Sequence, residues 1–478
     1  MPSLRRNIVY QFLYELLIVF IPLFTIPYVS RVLGAENIGL FSYTYAVANY
    51  FVLFANLGIK NYGSRTIAMV RNNKEELNRN FSEILSIHII FSIIVIFVYL
   101  VLLFFFVEDN LVIFLIQSIY VFAAVFDINW FFFGIEKFKL TVGRNTLVKI
   151  LSVFLVLVFV KTQTDLWIYA LILALSVFVG QSVVWFALKQ YVSWRRPSWA
   201  NMKQHIRPLF VLFLPILALS LYKYMDKIML GSISSNVQVG FYENAEKIIN
   251  VPMSLIMAFG VVLMPRIANM VTSKDKGEVF KLIDMSMEAV MLLAIAISFG
   301  LAGISFVLAP IFFGYEFEEC GILIMGLAVT VPFMAFANVI RTQYLIPYKE
   351  DKIFVVSLFL GAAVNLIVNI ILIPYMAARG AVIGTIFAEI IVCIYQSYFV
   401  RKKIFIKKYL LNTIPPILIG IVMFVFVFQI GNVMNINIVT LILQLLVGMF
   451  IYAVGVFLLM LKGRTRLMVL LRKFVVRY

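Results

Sequence analysis

Fourteen apolar stretches, each close to the ~20 residues that a helix needs to cross a bilayer, alternate along this chain with short charged segments. Inside lipid no water pairs with the backbone, so such stretches fold as helices that satisfy their own hydrogen bonds. The predicted spans are 8–29, 38–59, 82–106, 111–133, 146–163, 167–188, 209–231, 242–264, 282–312, 320–346, 353–374, 381–400, 410–430 and 439–461. The sequence therefore predicts an all-α integral membrane protein with about 14 transmembrane helices.

The Lys and Arg residues indicate which ends of the spans face the cytoplasm, because cytoplasmic loops are enriched in positive charge. With the N-terminus inside, 34 of the 40 basic residues fall in inner segments, and Arg31, Lys161 and Arg379 fall in outer ones. We expect both termini to be cytoplasmic, and the run after MPSLRRN to be a retained first span and not a cleaved signal peptide. Orientation and anionic lipid then account for the net charge of +17, without a nucleic-acid partner.

Composition and motifs argue against several functional classes. The chain is 63% hydrophobic and 13% charged, which fits a surface that faces lipid. It lacks the Gly-Lys dipeptide of a phosphate-binding loop and the Asp-x-Asp pair of many nucleotide-sugar transferases. Its two histidines are far apart in sequence, and both cysteines lie in apolar runs. We therefore expect no enzyme, no metal site and no bound cofactor.

An internal repeat divides the chain. IGLFSYTYAVANYF (38–51) resembles VGFYENAEKIINVP (239–252), and SRTIAMV (64–70) resembles PRIANMV (265–271), both at an offset of 201 residues. Each copy holds six spans, an even number, so the two copies have the same orientation in the membrane. We predict a lobe over 1–196, a second, pseudo-symmetric lobe over 197–408, and a C-terminal helix pair with a basic tail over 409–478. Two such bundles suit alternating access to a substrate between them.

Three charges interrupt the seventh span in the stretch SLYKYMDKIMLGS (220–232). Lys223, Asp226 and Lys227 lie at helical spacings of three and four, so they share one face. Lys223 lies 14 residues into the span, which is about 21 Å along a helix and beyond the membrane midplane. A charge at this depth is costly and normally faces a bundle interior or a wet cavity.

The eighth span begins with FYENAEK, which places Glu243, Glu246 and Lys247 at a comparable depth. Two interpretations remain open. The six charges could form a salt-bridge cluster that joins spans 7 and 8, or the lysines could point into a cavity and bind an anion while the carboxylates gate them.

Other polar residues lie within the predicted spans. Glu15 and Asp127 are isolated carboxylates and candidate proton or cation sites. Arg341 is predicted at the inner end of its helix, where a cation is stabilised by the helix dipole. Asn365 and Asn369 are one turn apart, a spacing typical of hydrogen bonds between membrane helices.

The segment IPLFTIPYVSRVLGAENIGLFSYTYAVANYFVLFANLGIKNYGSRTIA (21–68) resembles the N-terminal signature of Wzx-type polysaccharide flippases. These belong to the multidrug/oligosaccharidyl-lipid/polysaccharide exporter superfamily, which has a MATE-like fold. RTQYLIPYKEDKIFVVSLFLGAAVNLIVNIILIP (341–374), followed by GAVIGT (380–385), resembles the C-terminal half of the same family. Arg31, Gly34, Gly39 and Arg65 match its N-terminal signature, and the charges of span 7 match its habit of placing charges there.

The resemblance implies a flippase of the bacterial inner membrane that moves undecaprenyl-pyrophosphate-linked oligosaccharide units to the outer leaflet. An ion gradient, of protons or sodium, is expected to drive it, and membrane lipids and a polysaccharide polymerase or export complex are its expected partners. The expected cavity residues are Lys223, Asp226, Lys227, Lys247, Arg31 and Arg341, and the candidate coupling or gating residues are Glu15, Asp127, Glu243 and Glu246. The predicted spans of the first lobe hold no Lys or Arg, which differs from a symmetric cationic cavity.

Three alternatives remain. A peptidoglycan-precursor flippase would need the same chemistry for a different sugar. A cation-coupled multidrug exporter on the same fold would favour acidic and aromatic cavity residues, which the lysines oppose. A polysaccharide polymerase or ligase would need a large outer loop, whereas the outer loops here are about ten residues long.

Overall fold

The computed structural model describes the backbone of residues 2–272 and 276–462. It describes side chains from residue 23 onward, except those at 138, 139, 222, 272, 276 and 462. The regular elements within these ranges are all helical. Contacts between residues divide the chain into two compact units, Met1–Gly231 and Ser232–Tyr478.

The helices of the first unit follow the predicted spans, with one continuation and one interruption. Asn73 begins α3 by accepting hydrogen bonds from the backbone N–H groups of Glu75 (3.1 Å) and Glu76 (3.3 Å), a normal N-cap arrangement. The last helix of this unit continues two residues past Gly231, the end of the unit. The helices are α1 (Pro2–Asn56), α2 (Ile59–Val70), α3 (Lys74–Phe106), α4 (Leu111–Val125), α5 (Asn129–Gly134), α6 (Phe138–Phe159), α7 (Leu166–Leu188) and α8 (Trp199–Ile233).

The second unit contains longer and less interrupted helices. A π-helical turn, Arg341–Leu345, extends one of them towards a predicted cytoplasmic loop. The helices are α9 (Asn236–Thr272), α10 (Lys276–Phe313), α11 (Cys320–Ala328), α12 (Thr330–Ile340), α13 (Asp351–Val400), α14 (Ile406–Val433) and α15 (Ile438–Lys462).

The predicted number of transmembrane helices is confirmed. Twelve helical stretches among the described residues are long and apolar enough to cross a membrane. Two of them are double, because α1 is broken at Gly34 (φ 77°) and α13 at Ala377 (φ 48°). With these two breaks the described residues form fourteen long helical segments. Gly34 occupies a backbone region that only glycine enters easily, which explains its place between spans 1 and 2.

The boundaries of the helices repeat as the sequence predicted. The second arm of α1 begins at residue 35 and α9 begins at residue 236, an offset of 201. The helices that follow begin at Lys74 and Lys276, within one residue of the same offset. Each copy contains six spans, and α14 and α15 follow as a C-terminal pair. The predicted lobe boundary at 196/197 follows this repeat and remains a prediction, while the contacts assign most of α8 to the first unit.

One apolar core of the first unit lies at its predicted cytoplasmic end. Phe81, Trp130 and Phe131 are at most 2% exposed and stack on one another, with ring centroids 4.9–6.4 Å apart. A Cβ atom at Gly63 would lie 2.5 Å from the Trp130 ring, so α2 approaches α5 too closely for a larger residue. Close packing through small residues is how membrane helices associate, because lipid supplies no hydrophobic driving force between them.

Candidate functional site

The charged face of α8 combines one exposed and two buried side chains. Lys223 is exposed, and its Nζ lies 5.3 Å from the centre of the Tyr224 ring, a cation–π distance. Asp226 and Lys227 are 3% and 7% exposed. The shared face predicted from the sequence is therefore divided by burial. Lys223 is the member of the three that can meet a ligand without displacing protein atoms.

Two tyrosines of α1 support this part of α8. The hydroxyl of Tyr50 donates to the carbonyl of Ser220 over 3.4 Å, and its ring lies edge-on to Tyr224 at 6.0 Å. Tyr50 also interacts electrostatically with Asp226. Further along α8, a Cβ atom at Gly231 would lie 2.3 Å from the ring of Tyr43. The charged turn of α8 is thus held against the second arm of α1.

The predicted charges of span 8 form a pair within one helix. Lys247 Nζ lies 3.1 Å from Glu243 Oε1, four residues earlier on α9, and their side chains are 33% and 15% exposed. Glu246 is half-buried on the same helix. Lys247 is therefore already compensated by a neighbouring carboxylate, whereas no carboxylate is recorded within ion-pair distance of Lys223 among the described contacts.

Arg341 begins the π-helical turn of the second unit. Its Nη2 donates to Asn338 Oδ1 over 2.6 Å, and its guanidinium lies 5.4 Å from the centre of the Phe354 ring. Glu389, 6% exposed on α13, interacts with it electrostatically. Single π-helical turns within longer helices are frequent at functional sites. Arg341 thus joins α12 to both arms of α13, in contacts that a helix-end cation would not make.

Asn365 and Asn369 lie where the two arms of α13 approach each other. Asn369 Nδ2 donates to Asn365 Oδ1 over 3.3 Å, and both side chains are buried. A Cβ atom at Gly384, in the other arm, would lie 2.1 Å from Asn369 Oδ1. The position of these amides between two helical arms fits the predicted interhelical role.

A polar network of the first unit corrects one sequence-based conclusion. Asp127 Oδ1 accepts hydrogen bonds from the backbone N–H (3.0 Å) and side-chain Nδ2 (2.7 Å) of Asn129. Asn129 Nδ2 also donates to Gln181 Oε1 (2.8 Å), and Arg144 Nη2 donates to Asn129 Oδ1 (3.1 Å). Arg144 therefore lies on the fifth span, within a hydrogen-bonded interior network.

The expectation of a first lobe without intramembrane cations was therefore wrong. Helix α6 begins at Phe138, eight residues before the predicted start of the span at 146, so Arg144 and Lys149 lie on it. Both side chains are half-buried. Polar residues in FKLTVGRNTLVKI masked the first turns of this helix from a hydrophobicity window. Contacts also assign Lys223 and Lys227 to the first unit, so it is rich in cations.

The remaining predicted residues are dispersed. The side chain of Glu15 lies outside the described residues. Arg31 is exposed close to the break at Gly34, and Arg65 is exposed on α2. Gly39 is buried in the second arm of α1. None of these residues is recorded in contact with Lys223, so their assignment to a cavity remains a prediction.

An apolar groove of about 980 Å³ lies in the second unit, and the sequence did not reveal it. It is bounded by α10, α14 and α15 and by Pro252 of α9. Its lining is aliphatic and aromatic apart from a few polar groups, among them Gln444 and Tyr452. Such a surface can accommodate hydrocarbon but offers little to a sugar or a phosphate.

Solved structures share this fold. The lipid II flippase MurJ, in an inward closed conformation, superposes with a TM-score of 0.74 at 15% identity, covering 95% of this chain and 99% of that one. An inward-facing multidrug resistance transporter of the MATE family superposes with a TM-score of 0.62 at 14% identity, covering 82% and 97%. The fold therefore places this chain in the class of multi-pass membrane proteins with a MurJ/MATE architecture.

Sequence comparison defines the family within that class. The chain belongs to the family of polysaccharide biosynthesis proteins, which it matches over residues 4–271. A candidate O-antigen transporter of Shigella dysenteriae is 24% identical over 408 residues, covering 82% of this chain and 99% of the relative. One of Escherichia coli (strain K12) is 26% identical over 408 residues, covering 84% and 97%. The resemblance to Wzx-type flippases is confirmed.

Proposed function

We propose that this protein is a flippase that moves an undecaprenyl-pyrophosphate-linked oligosaccharide repeat unit from the cytoplasmic to the outer leaflet. The O-antigen transporters align with more than four fifths of the chain, and the MurJ-like architecture is that of a protein named for flipping another glycolipid. The two like-oriented copies support a mechanism of alternating access.

The exposed Lys223 on a membrane-crossing helix is the observation that carries this proposal. Undecaprenyl pyrophosphate brings a negatively charged group into a medium where it cannot keep its hydration shell. An ammonium group in low dielectric replaces that hydration through charge-assisted hydrogen bonds. The cation–π contact with Tyr224 positions the Lys223 side chain without neutralising its charge.

The apolar groove of the second unit supports the same substrate class. A carrier with an isoprenoid tail needs a path for hydrocarbon beside the path for its polar head. The groove between α10, α14 and α15 offers aliphatic contacts over about 980 Å³, enough for part of such a chain. In this proposal the tail remains in contact with the groove or with lipid while the headgroup crosses.

Further parts of the proposal concern energy, partners and orientation. The protein performs no chemical reaction on its substrate, and a proton or sodium gradient drives it, with Glu15, Asp127, Glu243 and Glu246 as candidate coupling or gating residues. It lies in the inner membrane with both termini cytoplasmic and works beside a polysaccharide polymerase. Vesicles that flip substrate only when ATP is supplied would contradict the coupling mechanism.

Substitution of Lys223 tests the function. A charge-assisted contact is worth ~1.5–3 kcal/mol, so Lys223→Ala should reduce transport roughly 10- to 100-fold at an unchanged protein level. Lys223→Arg should retain part of the activity, because the positive charge remains but its shape changes. The measurement is surface glycan in cells that lack their own flippase, together with flipping in reconstituted vesicles.

Lys281→Ala is the matched control. Lys281 forms an exposed ion pair with Glu278, with side chains 53% and 52% exposed, so its loss should leave transport unchanged. Transport by Lys223→Ala at the wild-type rate would contradict the proposed role of this lysine.

A peptidoglycan-precursor flippase is the second candidate, favoured by the superposition on MurJ. Complementation of cells depleted of their lipid II flippase separates the two. Rescue of cell-wall synthesis, without restoration of surface polysaccharide in the other strain, would favour this second function.

A further inference from the structure

A buried cluster joins three helices at the predicted cytoplasmic end of the first unit. His205 of α8 and Glu83 of α3 are 3% and 1% exposed, and His205 Nε2 lies 3.0 Å from Glu83 Oε2. The other ring nitrogen, Nδ1, lies 2.6 Å from the hydroxyl of Tyr62 on α2. Both ring nitrogens therefore have partners, and the partners come from two other helices.

The cluster can hold its hydrogen bonds in two protonation states. With a neutral ring, Nε2–H donates to Glu83 and Nδ1 accepts the hydroxyl proton of Tyr62. With a protonated ring, both nitrogens donate, and the hydroxyl of Tyr62 can turn to Thr66, with which it already interacts. The two states differ in charge and not in connectivity. Histidine is the side chain whose ordinary titration range lies closest to physiological pH.

The charge of Glu83 has no other compensation recorded nearby. Glu83 and Tyr62 are the titratable groups recorded in contact with the His205 ring. Apolar residues of the core, such as Phe81 and Leu209, surround these three helices. The basic side chains on neighbouring turns and on the preceding loop are all exposed: Lys60, Arg65, Arg79, Arg195, Lys203 and Arg207. A proton on His205 therefore makes the pair neutral, and its loss leaves a buried negative charge, which strongly disfavours the closed arrangement.

The cluster also lies where it can control α8. The loop before α8 is fixed to α3, because Asn78 Oδ1 accepts from the Ser193 N–H (3.0 Å) and Ser82 Oγ accepts from the Arg195 N–H (2.9 Å). His205 is 18 residues before Lys223 on the same helix, about 27 Å along its axis. A change at this end of α8 can therefore move its charged turn as part of one rod.

We infer that Glu83, His205 and Tyr62 form a proton-binding site that controls the attachment of α8 to α2 and α3. The proton comes from cytoplasmic water and binds the imidazole nitrogen, which makes the Glu83–His205 pair neutral and holds α8 in place. Its release to water leaves Glu83 charged, and separation of α8 allows the carboxylate to be hydrated. The consequence for substrate movement rests on the proposed flippase function, while the proton site itself does not.

Hydrogen exchange of the purified full-length protein tests the site without any substrate. We expect the amides of 199–213, after correction for intrinsic rates, to lose protection as the pH rises from 6 to 8. One proton sets a limit of ~10-fold per pH unit. Glu83→Gln, a neutral acceptor, should keep the protection high at every pH. His205→Gln, which leaves Glu83 charged, should keep it low at every pH.

Opposite fixed levels in the two variants distinguish proton binding from a structural role, for which both substitutions would lower protection. Lys203→Gln, an exposed change on the same helix, should retain the wild-type pH dependence. Wild-type protection that does not change with pH, or equal losses in both variants, would overturn the site. Should Glu83→Gln or His205→Gln fail to fold, the wild-type profile alone decides.

Flipping in vesicles separates this inference from the function. If the exchange pattern is found but no lipid-linked oligosaccharide moves, the flippase function fails and the proton site stands. If flipping occurs and the exchange pattern is absent, the proton site fails and the function stands.

Discussion

The two copies of the repeat begin alike and then diverge. The second arm of α1 and α9 start 201 residues apart, but the first copy breaks at Leu57 (φ 38°) and Gly58 (φ 72°), while α9 continues unbroken to Thr272. The residue that corresponds to Gly58 is Phe259, inside α9. The break exists because α8 packs there: a Cβ atom at Gly58 would lie 2.8 Å from the carbonyl oxygen of Leu209.

Charged residues differ between the units in the same sense. In the first unit, Glu83, His205 and Tyr62 join three helices, and Arg144 enters a network across α5, α6 and α7. In the second unit, Lys247 pairs with Glu243 on its own helix. Similar sequences thus give one unit whose polar contacts connect helices and another in which this pair stabilises a single helix. Predictions that compare the two units follow from this contrast.

The largest effect is expected at the helix break. Gly58→Val places a β-branched residue at a positive φ and against the backbone of α8, which should cost about 3 kcal/mol or more in stability. The variant should accumulate poorly and unfold at a lower temperature in detergent. Gly143→Val is the control, since a Cβ atom at Gly143, on the exposed side of α6, would meet nothing within 4 Å. Equal stability of the two variants would mean that contact with α8 does not dictate the break.

A smaller loss is expected at Arg341. Arg341→Gln removes a cation from beside the buried Glu389, and removing one partner of a buried pair costs about 3 kcal/mol. Adding Glu389→Gln should recover most of the lost thermal stability, because no uncompensated charge then remains. The measurement is the unfolding temperature of the single and double variants. A double variant no more stable than Arg341→Gln would contradict this pairing.

Lys247 should matter less for transport than Lys223. Its pairing with Glu243 along one helix contributes only about 0.3–0.5 kcal/mol, so Lys247→Ala should lower flipping by no more than about 3-fold. The assay is the one used for Lys223→Ala, with protein level measured in parallel. If both substitutions abolish export, the contrast between the two lysines is wrong and Lys247 belongs to the substrate site.

The smallest effect is a gain in stability at the second helix break. Ala377 adopts φ 48°, where a side chain is strained, whereas Gly34 occupies the comparable break in α1 without that strain. Ala377→Gly should therefore stabilise the protein by about 1 kcal/mol. The unfolding temperature should rise by about 1–2 °C, and Gly34→Ala should lower it.

The sequence alone determined the fourteen spans, the parallel repeat and the family. These are local properties: each helix in lipid pairs its own backbone, so a run of apolar residues is enough to define it. Where polar residues enter a helix the signal fails, which is why the start of α6 at Phe138 and the place of Arg144 were missed.

Only the tertiary structure decided which polar side chains meet. Glu83 and His205 are 122 residues apart, and Tyr62 is 143 residues from His205. No spacing in the sequence connects them, because contacts between distant helices depend on how whole helices pack. The same holds for Gly58, whose conformation is imposed by α8 about 150 residues later in the chain. Local composition specifies helices in a membrane, and packing between them specifies the sites.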